Sequence, residues 1–110
     1  MNYLIVGRVK NKMKGSIRKA EILDAALCVA THTGFENATR EQVAKEAGCA
    51  EGLVSNYWGT MKQLRRAIMR EAIRTQNLVV IAQGLARGNS NARKASPELQ
   101  ERAAAQLTSV

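Results

Sequence analysis

The sequence predicts an all-α fold, in which a three-helix domain with a helix-turn-helix is followed by a long fourth helix and a short C-terminal helix. The first observation is composition: helix-favouring residues abound, and the 110 residues include one proline. The second is that apolar residues recur at three- and four-residue spacing in several stretches. The third is residues 39–58, where two short helical patterns are joined by a glycine turn. This length, with 45% hydrophobic residues, predicts one folded domain.

The first helix is expected at about residues 17–33. Ser16 is a suitable N-cap residue, because its hydroxyl can accept a hydrogen bond from a free amide of the first turn. Apolar residues then follow at helical spacing: Ile17, Ala20, Leu23, Ala26, Leu27 and Ala30. Gly34 should end this helix in a left-handed conformation, and Phe35 should fold back onto the core.

The second helix is expected to begin after Thr39. The Thr39 hydroxyl and the Gln42 side chain can form a reciprocal capping box, which satisfies two amides at the helix start. Gly48 should form the turn that follows, because glycine reaches a left-handed backbone conformation without strain.

The third helix is expected at about residues 51–57. Ala50 stands where a capping side chain would be expected, and this omission costs about 1 kcal/mol. Val54 and Trp58 should point towards the core. The residues predicted to point outward are Glu51, Gly52, Ser55 and Asn56.

Thr60 should start a long fourth helix that continues to a loop at residues 84–96. Its inner stripe comprises Leu64, Ala67, Ile68, Ala72, Thr75, Val79 and Ala82. Ser96 is a suitable N-cap residue and Pro97 suits the first position of a helix, so the fifth helix is expected at about 97–108. The chain is therefore expected to divide into a basic N-terminal arm at 1–15, a helix-turn-helix domain at 16–76 and a C-terminal helical segment at 77–110; DNA binding is expected of the second part and dimerisation of the third, for the reasons given below.

Charge favours a polyanionic partner. The formal net charge is +8 and the isoelectric point is about 10.1. Residues 1–20 carry six bases and no acid, and residues 61–94 carry eight bases and one acid. Residues 21–60 carry two bases and six acids, so the helix-turn-helix is acidic and its flanks must supply most phosphate contacts.

Catalytic and metal-binding patterns are missing from the sequence, and no cofactor is expected. There is no Ser/His/Asp set, phosphate-binding glycine loop, HExxH or pair of carboxylates in an expected cleft. Cys28 and Cys49 form no CxxC pair and are expected to be buried thiols in a reducing cytoplasm. No run of 18 apolar residues predicts a membrane span, and the apolar stretch near the N-terminus is too short for a signal peptide.

Three ordered blocks resemble the DNA-binding domain of the tetracycline-repressor (TetR) family. The first is Ile22-Leu23-Asp24-Ala25-Ala26-Leu27 followed by Gly34-Phe35. The second is Thr39 with Val43-Ala44-Lys45-Glu46-Ala47-Gly48. The third runs from Cys49 through Tyr57-Trp58 to Lys62 and Leu64. The resemblance covers residues 17–72 and implies an HTH-type regulator in the cytoplasm, associated with the nucleoid.

The sequence departs from the family pattern at four points. Met61 takes the position of the family's phosphate-binding lysine, and Lys62 follows one residue later. Ser55 replaces the first tyrosine of the recognition helix, and Ala50 replaces its cap serine. The family's large C-terminal ligand-binding domain has no counterpart here, so a small-molecule inducer is not expected.

The third helix is expected to enter the major groove and read the DNA. Asn56 can donate and accept at adenine, Ser55 can bond several base edges, and Tyr57 can bond phosphate. Arg40 and Lys62 are expected on phosphates, with helix 1 and the start of helix 4 resting on the backbone. The full set of expected DNA contacts is Lys14, Arg40, Glu51, Gly52, Leu53, Ser55, Asn56, Tyr57 and Lys62.

The expected function is a homodimeric regulator, a repressor, on a palindromic operator of double-stranded DNA. Its dimer contact is assigned to apolar residues that have no partner within so short a chain: Leu78, Val79, Ile81, Leu85, Leu99, Ala103 and Leu107. Small regulators of this kind suit plasmid or phage gene control. The alternative is a protein-binding module derived from a helix-turn-helix, which inhibits or adapts another regulator. The acidic residues 21–60 and Met61 favour that alternative.

Overall fold

The computed structural model describes the backbone of residues 2–108 and the side chains of residues 15–107. This part of the chain is all-helical, as predicted. It contains α1 (Asn2–Thr33), α2 (Arg40–Ala47), α3 (Glu51–Trp58), α4 (Met61–Arg74), α5 (Leu78–Ala86), a 3₁₀ helix (Ala92–Lys94) and α6 (Pro97–Thr108). None of these helices has the length and hydropathy needed to cross a membrane.

Helix α1 begins at Asn2, much earlier than the predicted start at Ile17. Ser16 therefore lies inside the helix and is not its N-cap. No proline interrupts residues 2–16, and an interior glycine costs a helix only about 1 kcal/mol. The side chains of residues 2–14 lie outside the described part, so the predicted DNA contact of Lys14 stays a prediction.

The predicted long fourth helix is wrong, because the chain breaks between α4 and α5. Gln76 has a positive φ of 57°, which no continuing helix permits. Asn77 then caps α5: its Oδ1 accepts from the Val80 amide at 3.1 Å, and its Nδ2 donates to the Thr31 hydroxyl at 3.1 Å. The break lets α5 turn back and bury Val80 and other apolar residues that a straight helix would leave uncovered.

One hydrophobic core joins the helix-turn-helix to the C-terminal helices. Its largest fully buried residues are Ile22, Val43, Val54, Leu64, Ile68, Met69, Val80 and Ile81. Helix α5 packs closely on α4: a methyl group added at Gly84 would collide with Met69 and with Ala92 of the 3₁₀ helix. Gln83 also reaches the first loop, where its Oε1 accepts from the Phe35 amide at 2.7 Å.

Helix α6 packs on α5, and three residues of these two helices that were expected to lack a partner in the chain are buried. Ile81, Leu99 and Ala103 are at most 7% exposed. The reason given for placing these three at a dimer contact is therefore wrong, because a single protomer already buries them. Val79 and Leu107 remain 41% and 48% exposed, and Leu78 and Leu85 are half-buried.

Candidate nucleic-acid interface

The turn between α2 and α3 has the predicted glycine geometry. Gly48 has φ 70° and ψ 39°, a left-handed conformation. Its amide donates to the Lys45 carbonyl at 3.2 Å, and the Cys49 amide donates to the Ala44 carbonyl at 2.9 Å. These bonds close α2 and redirect the chain within two residues, so the start of α3 is held away from α2.

Helix α2 is fixed at its start by the predicted capping box. The Gln42 amide donates to the Thr39 hydroxyl at 3.2 Å, and the Thr39 amide donates to Gln42 Oε1 at 2.9 Å. Val43 and Ala44 are buried, so this helix packs on the core by a narrow apolar face. Arg40 occupies the first turn, beside the positive end of the helix dipole.

The inner face of α3 attaches the helix to the core. Val54 is 1% exposed, and Leu53 and Trp58 are half-buried against the core. The Trp58 indole donates to the Lys19 carbonyl at 3.0 Å, and Lys19 Nζ lies 4.7 Å from the centre of the ring. Trp58 therefore points inward as predicted, but it ties α3 to α1 instead of being fully buried.

The outer face of α3 carries the polar residues predicted to read DNA. Glu51, Gly52 and Asn56 are exposed, whereas Ser55 is half-buried. Ala50 provides no side-chain cap, as predicted. The amides of the first turn therefore lack a side-chain acceptor from Ala50, and they are suited to donate to an anionic oxygen instead.

Tyr57 lies at the border between α3 and α1. It is half-buried, and its hydroxyl would stand 3.7 Å from a methyl group added at Gly15. The phenol ring therefore packs against the protein, and the hydroxyl reaches the surface of α1. This position is compatible with the predicted phosphate contact, and it is also typical of an aromatic residue that packs on the core with only its hydroxyl at the surface.

Arg40 holds a polar atom without a protein partner. Within residues 15–107, its Nε is the one buried side-chain nitrogen or oxygen that forms no hydrogen bond. A buried donor without a partner costs about 1–3 kcal/mol, so an acceptor from outside the protein, either water or an anionic oxygen, would stabilise Arg40. A phosphate oxygen at the start of α2 would supply that acceptor.

Lys62 is exposed in the first turn of α4. A capping box also fixes this helix start, because the Gln63 amide donates to the Thr60 hydroxyl at 3.1 Å and the Thr60 amide donates to Gln63 Oε1 at 2.8 Å. Gly59, with φ 75°, separates this start from the end of α3. Lys62 therefore lies at the capped start of α4, directly after the end of α3.

A cleft beside Lys62 was not foreseen from the sequence. It has a volume of about 230 Å³ and is lined by Phe35, Glu36, Lys62, Arg65, Arg66, Asn89, Ser90 and Asn91. The one available signal was the excess of bases in residues 61–94, but charge counting does not tell which of them lie together.

A larger groove of about 630 Å³ runs between α1, the end of α3 and α4. Three arginines spaced one helical turn apart line it: Arg66, Arg70 and Arg74. Arg74 forms a bidentate pair with Glu71, and this hydrogen bond, together with the arginine's charge, holds the pKa of the Glu71 carboxyl below its usual value. Arg66 and Arg70 form no ion pair with a described residue, so the groove remains positive.

The thiol chemistry near α1 is unsuited to catalysis. Burial and the nearby Glu46 carboxylate raise the pKa of the Cys28 thiol, which therefore stays neutral and weakly nucleophilic. His32 Nδ1 lies 3.8 Å from the Cys28 sulfur and 2.8 Å from the Cys28 carbonyl oxygen. Across the described side chains, no group of three or more His, Cys, Asp or Glu residues is placed to hold a metal ion.

Comparison with known proteins gives one family and a set of curated relatives. Residues 22–68 match the family model described as "Bacterial regulatory proteins, tetR family". The HTH-type transcriptional regulator BetI of Paraburkholderia phytofirmans is 40% identical over 58 residues, 53% of this chain and 30% of that protein. BetI of Cronobacter sakazakii is 33% identical over 79 residues, 70% of this chain and 39% of that protein. No solved structure matches the chain significantly.

BetI of Escherichia coli is 36% identical over 56 residues, 51% of this chain and 29% of that protein. The chain thus spans roughly a third of the length of the curated relatives it matches, between 29% and 39% in these three. The family match begins in α1, includes α2 and α3, and ends within α4. It stops before α5, so the C-terminal helices lie beyond it.

Proposed function

We propose that this chain, whose residues 22–68 form a helix-turn-helix domain of the tetR family, is a sequence-specific DNA-binding transcriptional regulator. The family resemblance inferred from the sequence is confirmed for that segment. The regulator is proposed to act as a repressor in the cytoplasm, at the nucleoid, without an enzymatic activity of its own. Its relatives carry the name transcriptional regulator, which supports this class of function.

The single observation that carries the proposal is the two-faced character of α3. Val54 anchors the helix in the core, whereas Gly52 and Asn56 are exposed on a helix held by a glycine turn. A helix presented in this way fits the major groove, where an asparagine amide can pair with the edge of adenine. Arg40 and Lys62 flank it at two helix starts and are proposed to bind phosphates.

The proposed operator is palindromic, because two copies of the chain would each place α3 in the major groove. The half-sites should then be about one helical turn apart, or a multiple of it. Val79 and Leu107 are the exposed large apolar residues of α5 and α6 and are proposed to form the dimer contact with Leu78 and Leu85. An exposed apolar group of this kind is typical of a protein interface.

Selection of binding sites from random DNA tests this function. A recovered consensus should be bound better than a scrambled duplex, and Asn56→Ala should lose about 1–3 kcal/mol of that discrimination while its circular dichroism stays unchanged. Enrichment without any consensus would mean non-specific coating of DNA, and a variant that discriminates like the parent would remove α3 from the reading role.

The rival function is a protein-binding module that inhibits or adapts another regulator. The exposed acids Glu41, Glu46 and Glu51 around the helix-turn-helix favour it, because they repel phosphates. Heparin chromatography followed by gel shift with random DNA separates the two functions. A DNA-binding protein should be retained on heparin and shift DNA in a salt-dependent way, whereas the rival predicts neither.

A further inference from the structure

The segment after α5 returns to the DNA-proximal end of α4. Helices α4 and α5 run antiparallel: Gly84 packs on Met69 in the middle of α4, and residues 89–91 share a cleft with Lys62 and its neighbours in the first turns. We call residues 87–94 the return segment. Residues 89–91 of this segment line the cleft beside Lys62, although they follow Lys62 by about 30 positions in the sequence. The segment falls outside the family match, which ends at residue 68.

The backbone of the return segment is well supported. Asn89 Oδ1 accepts from the amides of Asn91 and Ala92, both at 2.9 Å, and the Arg93 amide donates to the Asn89 carbonyl at 3.2 Å. Ala92 is fully buried and anchors the 3₁₀ helix on the core. Gln100 of α6 donates to the Arg93 carbonyl at 2.9 Å. The basic residues that follow Ala92 are therefore presented from a fixed position.

The charges of this surface are mostly uncompensated. Arg87 pairs with Glu36 at 3.5 Å. Arg93 and Lys94 are exposed and form no ion pair with a described residue. The same holds for the three cations at the start of α4, namely Lys62, Arg65 and Arg66. Arg93 and Lys94 follow Asn91 by two and three residues, and Asn91 lines the cleft shared with these three cations.

The geometry points to a second phosphate-binding surface, in which Arg93 and Lys94 of the return segment bind the DNA backbone alongside Lys62. This inference rests on the proposed function and extends its interface beyond the helix-turn-helix. Double-stranded DNA carries one negative charge per about 1.7 Å of its axis, so a strand that meets Lys62 offers further phosphates to neighbouring cations. The exposed Ser90 hydroxyl can add a neutral hydrogen bond to the same strand.

The double variant Arg93→Gln/Lys94→Gln tests this surface. Binding to a mixed-sequence duplex is measured by fluorescence anisotropy over a series of salt concentrations. Each phosphate contact adds about 0.9 to the slope of log affinity against log salt. The variant should therefore reduce the slope by nearly two and weaken binding by roughly 10- to 100-fold at 0.1 M salt, with the preference for a selected site retained.

The matched control is Arg74→Gln/Arg102→Gln, which removes two exposed charges at the opposite end of α4: Arg74 is the last residue of α4 and pairs with Glu71, and Arg102 contacts Gln76. Its slope should stay at the parent value. A slope of log affinity against log salt equal to that of the parent in Arg93→Gln/Lys94→Gln overturns the inference. An equal reduction of the slope in the control also overturns it, because the effect would then come from net charge alone. Absence of DNA binding by the parent protein would instead overturn the proposed function itself.

Discussion

Two glycines of the helix-turn-helix differ in what the fold requires of them. Gly48 has a positive φ of 70°, so a side chain there would be strained although the space around it is open. Gly52 lies in helical conformation, and a methyl group added to it would meet no atom within 4 Å. Folding therefore does not require glycine at position 52. The proposed close approach of α3 to DNA, where a side chain would separate the backbone from the duplex, would account for a glycine at this position.

The variant Gly52→Ala should stabilise the protein and weaken DNA binding. Alanine is favoured over glycine in a helix by about 0.5–1 kcal/mol, and urea unfolding should show a gain of that size. Gel shift with the selected site should show reduced affinity. Gly48→Ala is the control, and it should lose stability because its φ is positive. Parental DNA affinity in Gly52→Ala would contradict a close approach of α3 at this residue.

Arg40→Met should weaken DNA binding without lowering the stability of the protein. Methionine keeps much of the apolar stem and removes the buried Nε, which has no partner among the described residues, so the free energy of unfolding should change little or rise. DNA affinity should fall equally for the selected and scrambled duplexes, with the salt slope reduced by about 1. Lys45→Met in the same helix is the control. A parental slope in Arg40→Met would exclude a phosphate contact at Arg40.

The sequence predicted the contacts between residues that are close together in the chain, and it missed the contacts between residues that are far apart in it. The capping box of Thr39 and the turn at Gly48 depend on residues three or four positions apart, so spacing reveals them. The bond from Trp58 to the Lys19 carbonyl joins residues 39 positions apart. Such contacts depend on how the helices pack, which periodicity does not specify.

At the scale of elements, the junction of α4 and α5 shows where periodicity misleads. The apolar stripe continues through Thr75 to Val79 and Ala82, so residues 60–83 were predicted as one helix. Tertiary packing decides otherwise, because the apolar run 78–81 gains more burial when α5 folds back on the core. Asn77 makes this possible, since it provides both a cap for α5 and a bond to α1.

Asn77→Ala should therefore destabilise the protein. It removes the acceptor for the Val80 amide and the donor to the Thr31 hydroxyl, so the free energy of unfolding should fall by about 1–3 kcal/mol in urea titrations. Asn77→Asp keeps the acceptor that caps α5 and loses the amide donor. Its free energy of unfolding should therefore lie between that of Asn77→Ala and that of the parent. If Asn77→Ala were as stable as the parent, the break would be set by other residues.

At the scale of the whole molecule, charge and family were readable from the sequence, but the surface that the charges form was not. The excess of bases in residues 61–94 indicated a polyanionic partner. Only the antiparallel return of the chain brings residues 89–91 to the start of α4. Packing likewise decides which apolar residues are free: Ile81 is buried inside one protomer, whereas Val79, two positions earlier, is 41% exposed.

Val79→Asp should dissociate the proposed homodimer without unfolding the protomer. The side chain is exposed in a single chain, so a carboxylate there costs folding little, but it would be buried without a partner in a dimer contact with Leu107. Sedimentation equilibrium should show a dimer for the parent and a monomer for the variant, and affinity for a palindromic site should fall further than affinity for a half-site.

Ile17→Asp is the matched control for this experiment, because Ile17 is 37% exposed but lies on α1, outside the proposed contact. It should remain dimeric. A monomeric parent throughout the micromolar range would contradict the dimer proposal, and a dimeric Val79→Asp would move the contact to another surface. Both results would leave the reading role of α3 intact, because that role depends on Val54 anchoring the helix and on Asn56 being exposed within each protomer.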